Sequence, residues 1–313
     1  MSRNSGHRRA VPARSAVLAM FAASSILLGG CGVVASSPTT SMPSSFSGST
    51  QASVPLSVTA APEGKSSAGQ MPVFWLGLNG SDIYLYREFQ NAAKSGDPIG
   101  EAVLAMTSGA PVDRDYFTPW EPASRVTASI SGKNVITVDI SSDAFKASLD
   151  AGMAHRAVQQ LVYTATAAAS NAGLTTVGYT SSVVLLVDGK AGYRAFGHES
   201  LDAPVERDTA ILAPIWVTDP REGGTVENTL TVHGSAVAQG GQLSWAVEPI
   251  VDGRPAEQAI ESGFAELDAP SGGSSAFSFS VDLPPGEYNL RIFHGAGHAH
   301  EDSKRFTVHS DLH

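Results

Sequence analysis

The sequence predicts two folded regions behind an unstructured leader: a small α+β domain, then an all-β sandwich. Three observations carry this. Between residues 71 and 205, alternating apolar runs are interleaved with two strong helix signals. From Ala213 onward the helix signals vanish, and short alternating strands recur, many about 8–12 residues apart, between Gly and Pro. Residues 32–70 are rich in Ser, Thr, Pro, Ala and Gly, carry almost no charge and have no apolar period, so they lack the surface to build a core.

In the first region, Val73-Phe74-Trp75-Leu76 and Tyr84-Leu85-Tyr86-Arg87-Glu88-Phe89 read as strands. Asp97-Pro98 opens a helix as N-cap and first-turn proline; Ile99, Val103 and Met106 share one face, and Gly109 ends it. Strands follow at 125–130 and 134–140, where Ile136, Val138 and Ile140 alternate with Val135, Thr137 and Asp139. An Ala-rich helix spans about 150–171 and stops at Asn171-Ala172-Gly173. Val183–Val187 is a strand, Asp188-Gly189 a tight turn, and 190–196 a returning strand. The prediction is a mixed sheet with two helices.

In the second region, strands fall at 215–217, 229–232, 243–247, 276–281, 288–293 and 305–308, the pattern of a sandwich of about seven strands. The chain's one cysteine precedes this region, so no disulfide bridges its sheets. Trp245 is a candidate core aromatic, and Pro284-Pro285-Gly286-Glu287-Tyr288 a turn entering a strand. The boundary falls near 205–213, with 202–209 charged and exposed.

The N-terminus reads as an address. Residues 1–14 are basic, 15–28 are apolar, and Gly29-Gly30-Cys31 follows, which is the layout of a secretory signal. The apolar run is shorter than the roughly 20 residues a membrane-spanning helix requires. Leu28-Gly29-Gly30-Cys31 resembles a bacterial lipobox. The resemblance implies that residues 1–30 are removed and that Cys31 carries diacylglycerol and further acyl chains such as palmitate. Two or three chains anchor stably, where one is marginal. Residues 31–70 then form a disordered tether, and localisation is expected at the extracytoplasmic face of the cell membrane.

The formal charge is −10. Arg3, Arg8, Arg9 and Arg14 precede Cys31 with no acidic residue among them, which leaves 16 basic against 30 acidic groups, a balance of −14. Such a surface repels phosphate and anionic headgroups, so nucleic acid is not an expected partner.

Residues 71–205 resemble the GerM or GerMN domain of sporulation and germination lipoproteins. The resemblance rests on Tyr84-Leu85-Tyr86, the Asp97-Pro98 helix start, the helix over 150–171 and the Val187-Asp188-Gly189 turn. Residues 213–309 resemble the immunoglobulin-like domain of bacterial spore germination. There the carriers are Ile215-x-Val217-x-x-Pro220, Gly224-x-Val226, Leu230-x-Val232-x-Gly234-x-Ala236 and Gly286-x-Tyr288-x-Leu290. The resemblance implies an α+β GerMN-like domain followed by an immunoglobulin-like sandwich, a cell-envelope role and no catalytic residues to carry over.

No G-x-S-x-G elbow, H-E-x-x-H helix or phosphate-binding glycine loop is present, and Cys31 is assigned to lipid. His294, His298 and His300, beside Glu301 and Asp302 with His309 and His313 nearby, have the residue types and spacing of a divalent-metal loop; a solvated polar hairpin is the alternative. Asp113 and Asp115 precede Tyr116 and Trp120, a combination that suits a ligand groove or a set of core anchors. The leading expectation is a non-catalytic, lipid-anchored binding or scaffold protein with an envelope-protein or cell-wall partner. The alternatives are an accessory or enzyme acting on peptidoglycan or glycan, and a metal or small-ligand carrier using the His294–Asp302 loop.

Overall fold

The structure, a computed structural model, describes residues 69–93, 95–237, 243–268, 274–295 and 300–309. The expected signal, Cys31 and all of the expected tether but its last two residues lie outside these, as do His298 and His313.

The first region comprises β1 (Gln70–Asn79), β2 (Asp82–Asn91), α1 (Pro98–Ser108), β3 (Tyr116–Phe117), β4 (Val126–Ile130), β5 (Val135–Ile140), α2 (Ala151–Asn171), β6 (Ser182–Val187), β7 (Arg194–Ala195), β8 (Glu199–Ser200) and β9 (Val205–Glu206). The predicted mixed sheet is in fact divided. One sheet runs β2-β1-β3, a second runs β4-β5-β6-β9, and β7 and β8 form a small hairpin. The second sheet is mixed: β5 and β6 are parallel, joined by α2, while β4 and β9 flank them antiparallel.

The cap of α1 is as the sequence reads, and α2 has one of the same kind. Asp97 accepts from Gly100 N–H at 2.8 Å, and its other carboxylate oxygen accepts from Ala128 N–H at 2.8 Å, which ties the start of α1 to β4. Asp150 accepts from Met153 N–H at 2.8 Å to open α2.

The polar residues on the buried face of α2 have a structural task. β3 covers β1 only at Leu76 and Gly77, which leaves the backbone of Phe74 open inside the core. Thr164 Oγ1 accepts from Phe74 N–H at 3.1 Å, and Gln160 Nε2 donates to Phe74 O at 2.8 Å. Both side chains are wholly buried. Two helix residues thereby close a strand edge that hydrocarbon would leave unsatisfied.

Asp188 and Gly189 make the expected turn, with φ of 50° and 77°. The predicted return over 190–196 does not form beyond one bridge from Val187 to Lys190. Residues 194–200 instead fold into the β7–β8 hairpin, which seats Phe196 against Trp120 and Phe145, and β9 takes the open edge of β6. The segment expected to be an exposed boundary therefore belongs to the first domain. Arg207 stacks over Tyr163 and donates to Thr166 Oγ1 at 2.7 Å, and Ile211 is buried.

The second region comprises β10 (Ile215–Asp219), β11 (Gly224–Val226), β12 (Thr229–Val237), β13 (Leu243–Val251), β14 (Arg254–Pro255), β15 (Glu261–Ala265), β16 (Ser274–Asp282), β17 (Gly286–His294) and β18 (Glu301–Val308). Sheet β10-β12-β16 packs on sheet β11-β18-β17-β13-β14, with β15 also on β13. Leu230, Val232, Phe277, Leu290, Ile292 and Phe306 fill the space between. Trp245 stacks on Phe279 at 4.7 Å near the margin of that core. Tyr288 Oη donates to Pro284 O at 2.8 Å, pinning the turn into its strand.

Candidate functional site

The two domains meet around a buried lysine. Along β18, alternate side chains at 302, 304, 306 and 308 face inward. Phe306 and Val308 enter the sandwich core, while Asp302 and Lys304 reach the end of the strand where the first domain packs. Lys304 Nζ donates to Asp113 Oδ2 at 2.6 Å, Tyr116 Oη at 2.7 Å and Asp302 Oδ1 at 3.1 Å. Asp302 Oδ2 accepts from Val217 N–H at 2.7 Å. Lys304, Asp113 and Asp302 are 5%, 3% and 7% exposed, so the ammonium's three donors are all used in a dry setting.

Burial alone would lower the Lys304 pKa, but the Asp302 and Asp113 carboxylates outweigh it and hold the group above its usual value. Burial pushes the Asp302 carboxyl up, partly offset by Lys304 and by Val217 N–H. Those two directions pull against each other within one ion pair. We take the pair as ionised, because both Asp302 oxygens accept hydrogen bonds and neither contact needs a proton on the carboxyl. Tyr116 stacks on Tyr86 at 4.6 Å, and burial raises both phenols. The stack requires glycine at 77, where a Cβ would lie 2.8–2.9 Å from both rings.

Further contacts fix the domains against each other. Asn79 Nδ2 donates to Glu301 O at 2.8 Å and Glu301 N–H donates to Asn79 Oδ1 at 3.2 Å, imitating a strand pair through one side chain. Ala213 N–H donates to Leu85 O at 3.1 Å, so the connecting segment itself pairs with the outer edge of β2.

Beyond that point β2 and β10 diverge and leave a cleft of about 600 Å³, the size of a ligand site. Residues 87–91 of β2 form one wall, Trp216–Thr218 and Arg221–Glu222 another, and Lys304 lies on the lining. The Arg87 guanidinium sits 4.6 Å over Trp216 and 5.0 Å over Phe89, and Arg221 lies 5.9 Å over Phe89. The lining carboxylates already accept backbone hydrogen bonds. Glu88 takes Val112 N–H at 2.8 Å and Asp113 N–H at 2.7 Å, and Glu222 takes Arg305 N–H at 2.7 Å. Burial raises both acids, and those N–H groups partly offset it. Arg221, exposed, donates its side-chain hydrogen bond to the neutral Gln70 Oε1 at 3.0 Å and has no ion pair among the described residues. Such a wall offers the exposed Arg221 beside Phe89 and Trp216, while its acids are committed to backbone.

The residues singled out in the sequence are dispersed. Trp120 is an anchor and not a groove wall. It is 4% exposed, donates Nε1–H to Ala157 O at 3.1 Å and is packed by Phe145 and Phe196. Tyr116 is likewise 8% exposed, and its hydroxyl is engaged by Lys304, although its edge reaches the cleft. His294 Nε2 lies 3.1 Å from Val237 O, and the His300 ring packs edge-on against Tyr84. Asp302 is buried in the lysine cluster. Among the described residues no three His, Cys, Asp or Glu side chains converge as metal ligands. His298 and Cys31 lie outside the described residues, and no described helix is long and apolar enough to cross a membrane. Lys304, Arg87 and Arg221 escaped notice. The available signal was the charged pair Asp302-x-Lys304 on the same strand face as Phe306 and Val308.

Similarity to known proteins follows the same division. Residues 72–193 match the family described as Germane, sporulation and spore germination. Residues 214–297 match Gmad2, the immunoglobulin-like domain of bacterial spore germination. Neither is a catalytic family. No curated protein matches the chain. Among solved structures, the tandem GerMN domains of the sporulation protein GerM from Bacillus subtilis are similar at 18% identity, with a TM-score of 0.34 over 44% of this chain and 45% of that one. The chain thus spans under half the length of that structure. It carries, in order, a domain that matches Germane and a domain that matches Gmad2, the immunoglobulin-like domain of bacterial spore germination.

Proposed function

We propose that this is a lipid-anchored, extracytoplasmic binding protein of the bacterial envelope, non-catalytic, which presents its two domains as one rigid unit. The observation that supports this most is the buried Lys304–Asp113–Asp302 cluster. It spends three buried charges on holding one domain against the other, which gives the cleft between them a fixed shape. A nucleophile or proton shuttle is poorly served by the same groups. The lysine is saturated and protonated, and the cleft carboxylates Glu88 and Glu222 are held by backbone donors. The anchor is assigned to Cys31 on the lipobox, with the partner a protein or wall component of the envelope.

Two measurements test this reading. The unaltered chain should sediment with membranes and carry an acyl-modified Cys31 by mass spectrometry, and Cys31→Ser should release it. Crosslinking in intact cells should recover a reproducible partner. A chain that begins at Met1, unmodified and soluble in the cytosol, would overturn the anchor, and recovery of the protein alone under several crosslinkers would overturn the binding role.

A further inference from the structure

The outer edge of β2 changes character along its length. Even-numbered residues of this strand pair inward with β1, as the continuing Ala92 N–H to Gly69 O bond at 2.9 Å indicates. Odd-numbered residues therefore turn their backbone groups outward. Ile83 O accepts from Arg156 Nε at 2.9 Å, and Leu85 O accepts from Ala213 N–H at 3.1 Å. Past Arg87 the covering stops. The backbone N–H and C=O of Phe89 and Asn91 have no hydrogen-bond partner among the described residues, and both residues line the cleft. An uncovered strand edge is a template for another strand. Here it lies along one wall of a preformed cavity, with the aromatic residues Phe89 and Trp216 and a cation, Arg221, that has no carboxylate in ion-pair range among the described residues.

From this we infer that the cleft binds an extended peptide, added as a strand along residues 88–91, with a carboxylate of the peptide seated at Arg221. The run past Arg87, residues 88–91, is about 13 Å long at roughly 3.3 Å per residue, enough for a four-residue segment. Main-chain bonds to Phe89 and Asn91 would supply the generic affinity, and the Phe89–Trp216 wall and Arg221 the selection. The inference deepens the binding role proposed above by naming the class of ligand. The carboxylate is either an acidic side chain or a chain terminus, and both suit the same guanidinium.

The probe is a displayed library of random heptapeptides, selected on the mature chain and counter-selected on Arg221→Gln. Synthetic copies of the enriched peptides are then measured by fluorescence polarisation. The expected pool is rich in β-branched residues and carries a carboxylate. Affinity should fall about 10-fold or more on Arg221→Gln, the loss of one charge-assisted hydrogen bond. Asn91→Pro, which removes an outward N–H at the exposed strand end, should also weaken binding at unchanged circular dichroism. Amidating the peptide terminus, or replacing its Asp and Glu by Asn and Gln, identifies which carboxylate is used. Hydrogen exchange should slow at the Phe89 and Asn91 amides when peptide is added.

No enrichment, or enriched peptides that bind both variants as tightly as the unaltered chain, overturns the inference. If crosslinking still recovers a partner from cells carrying Arg221→Gln, the anchored binding protein survives and only the cleft assignment falls.

Discussion

Replacing Lys304 by Met keeps an unbranched side chain of similar size and removes the charge together with its three hydrogen-bond donors. It leaves Asp113 and Asp302, 3% and 7% exposed, with no cation between them. Breaking a buried ion pair from one side costs about 3–5 kcal/mol, because the orphaned charge stays in a poorly solvated place. Asp113→Asn is the instructive contrast. It leaves Lys304 paired with Asp302 in a neutral couple and keeps an acceptor near the ammonium, so about 1–2 kcal/mol is expected. The triple variant Lys304→Met with Asp113→Asn and Asp302→Asn removes all three charges and should recover at least half of the loss. Urea denaturation at pH 8 and at pH 5 provides the assay. Burial raises the Asp302 carboxyl, so once Lys304 is gone the folded form takes up a proton more readily than the unfolded chain. The Lys304→Met deficit should therefore shrink on acidification. A deficit under about 1 kcal/mol, or one no larger than that of Asp113→Asn, would refute the claim that this cluster locks the domains.

Three further outcomes are expected. Because the Lys304 pKa is raised in the fold, its stabilisation is complete below the unfolded value of about 10.5 and fades as pH rises through the folded value; the thermal midpoint should drop above that pH in the unaltered chain and less in Lys304→Met. Asn134, 1% exposed at φ 58°, holds the 174–179 loop by bonds to Thr176 O and Tyr179 O, each 2.9 Å, and from Thr176 N–H at 2.7 Å. Asn134→Ala should cost about 2–4 kcal/mol and open the Thr176 amide to hydrogen exchange. Gly234→Ala would place a Cβ 2.2 Å from Phe277 Cζ and 2.6 Å from Trp216 O, so the sandwich should lose about 1–3 kcal/mol or more in the same denaturation assay.

Much of the fold was legible along the chain. Asp97-Pro98 marks a helix start because capping is a contact between residues three apart. The alternation at Ile136, Val138 and Ile140 is legible for the same reason: the period of a strand is local. The failures were contests between local signals and distant partners. Asp188-Gly189 turns as its residues demand, yet the strand expected after it is drawn off, because Phe196 finds an aromatic pocket at Trp120 and Phe145. Trp120 beside acidic residues suited a groove wall or a core anchor, and exposure, which separates the two, is not written in sequence.

By itself, then, the sequence determined the order of the two domains, their helices and most strands, and the family of each, since all of these rest on patterns within short windows. The cleft belongs to the tertiary structure. Lys304 and Asp113 are 191 positions apart, and Arg221 meets Gln70 across 151. No periodicity links such residues. They meet because β18 turns its charged pair toward a neighbouring domain, and burial then makes any arrangement but a paired one too costly.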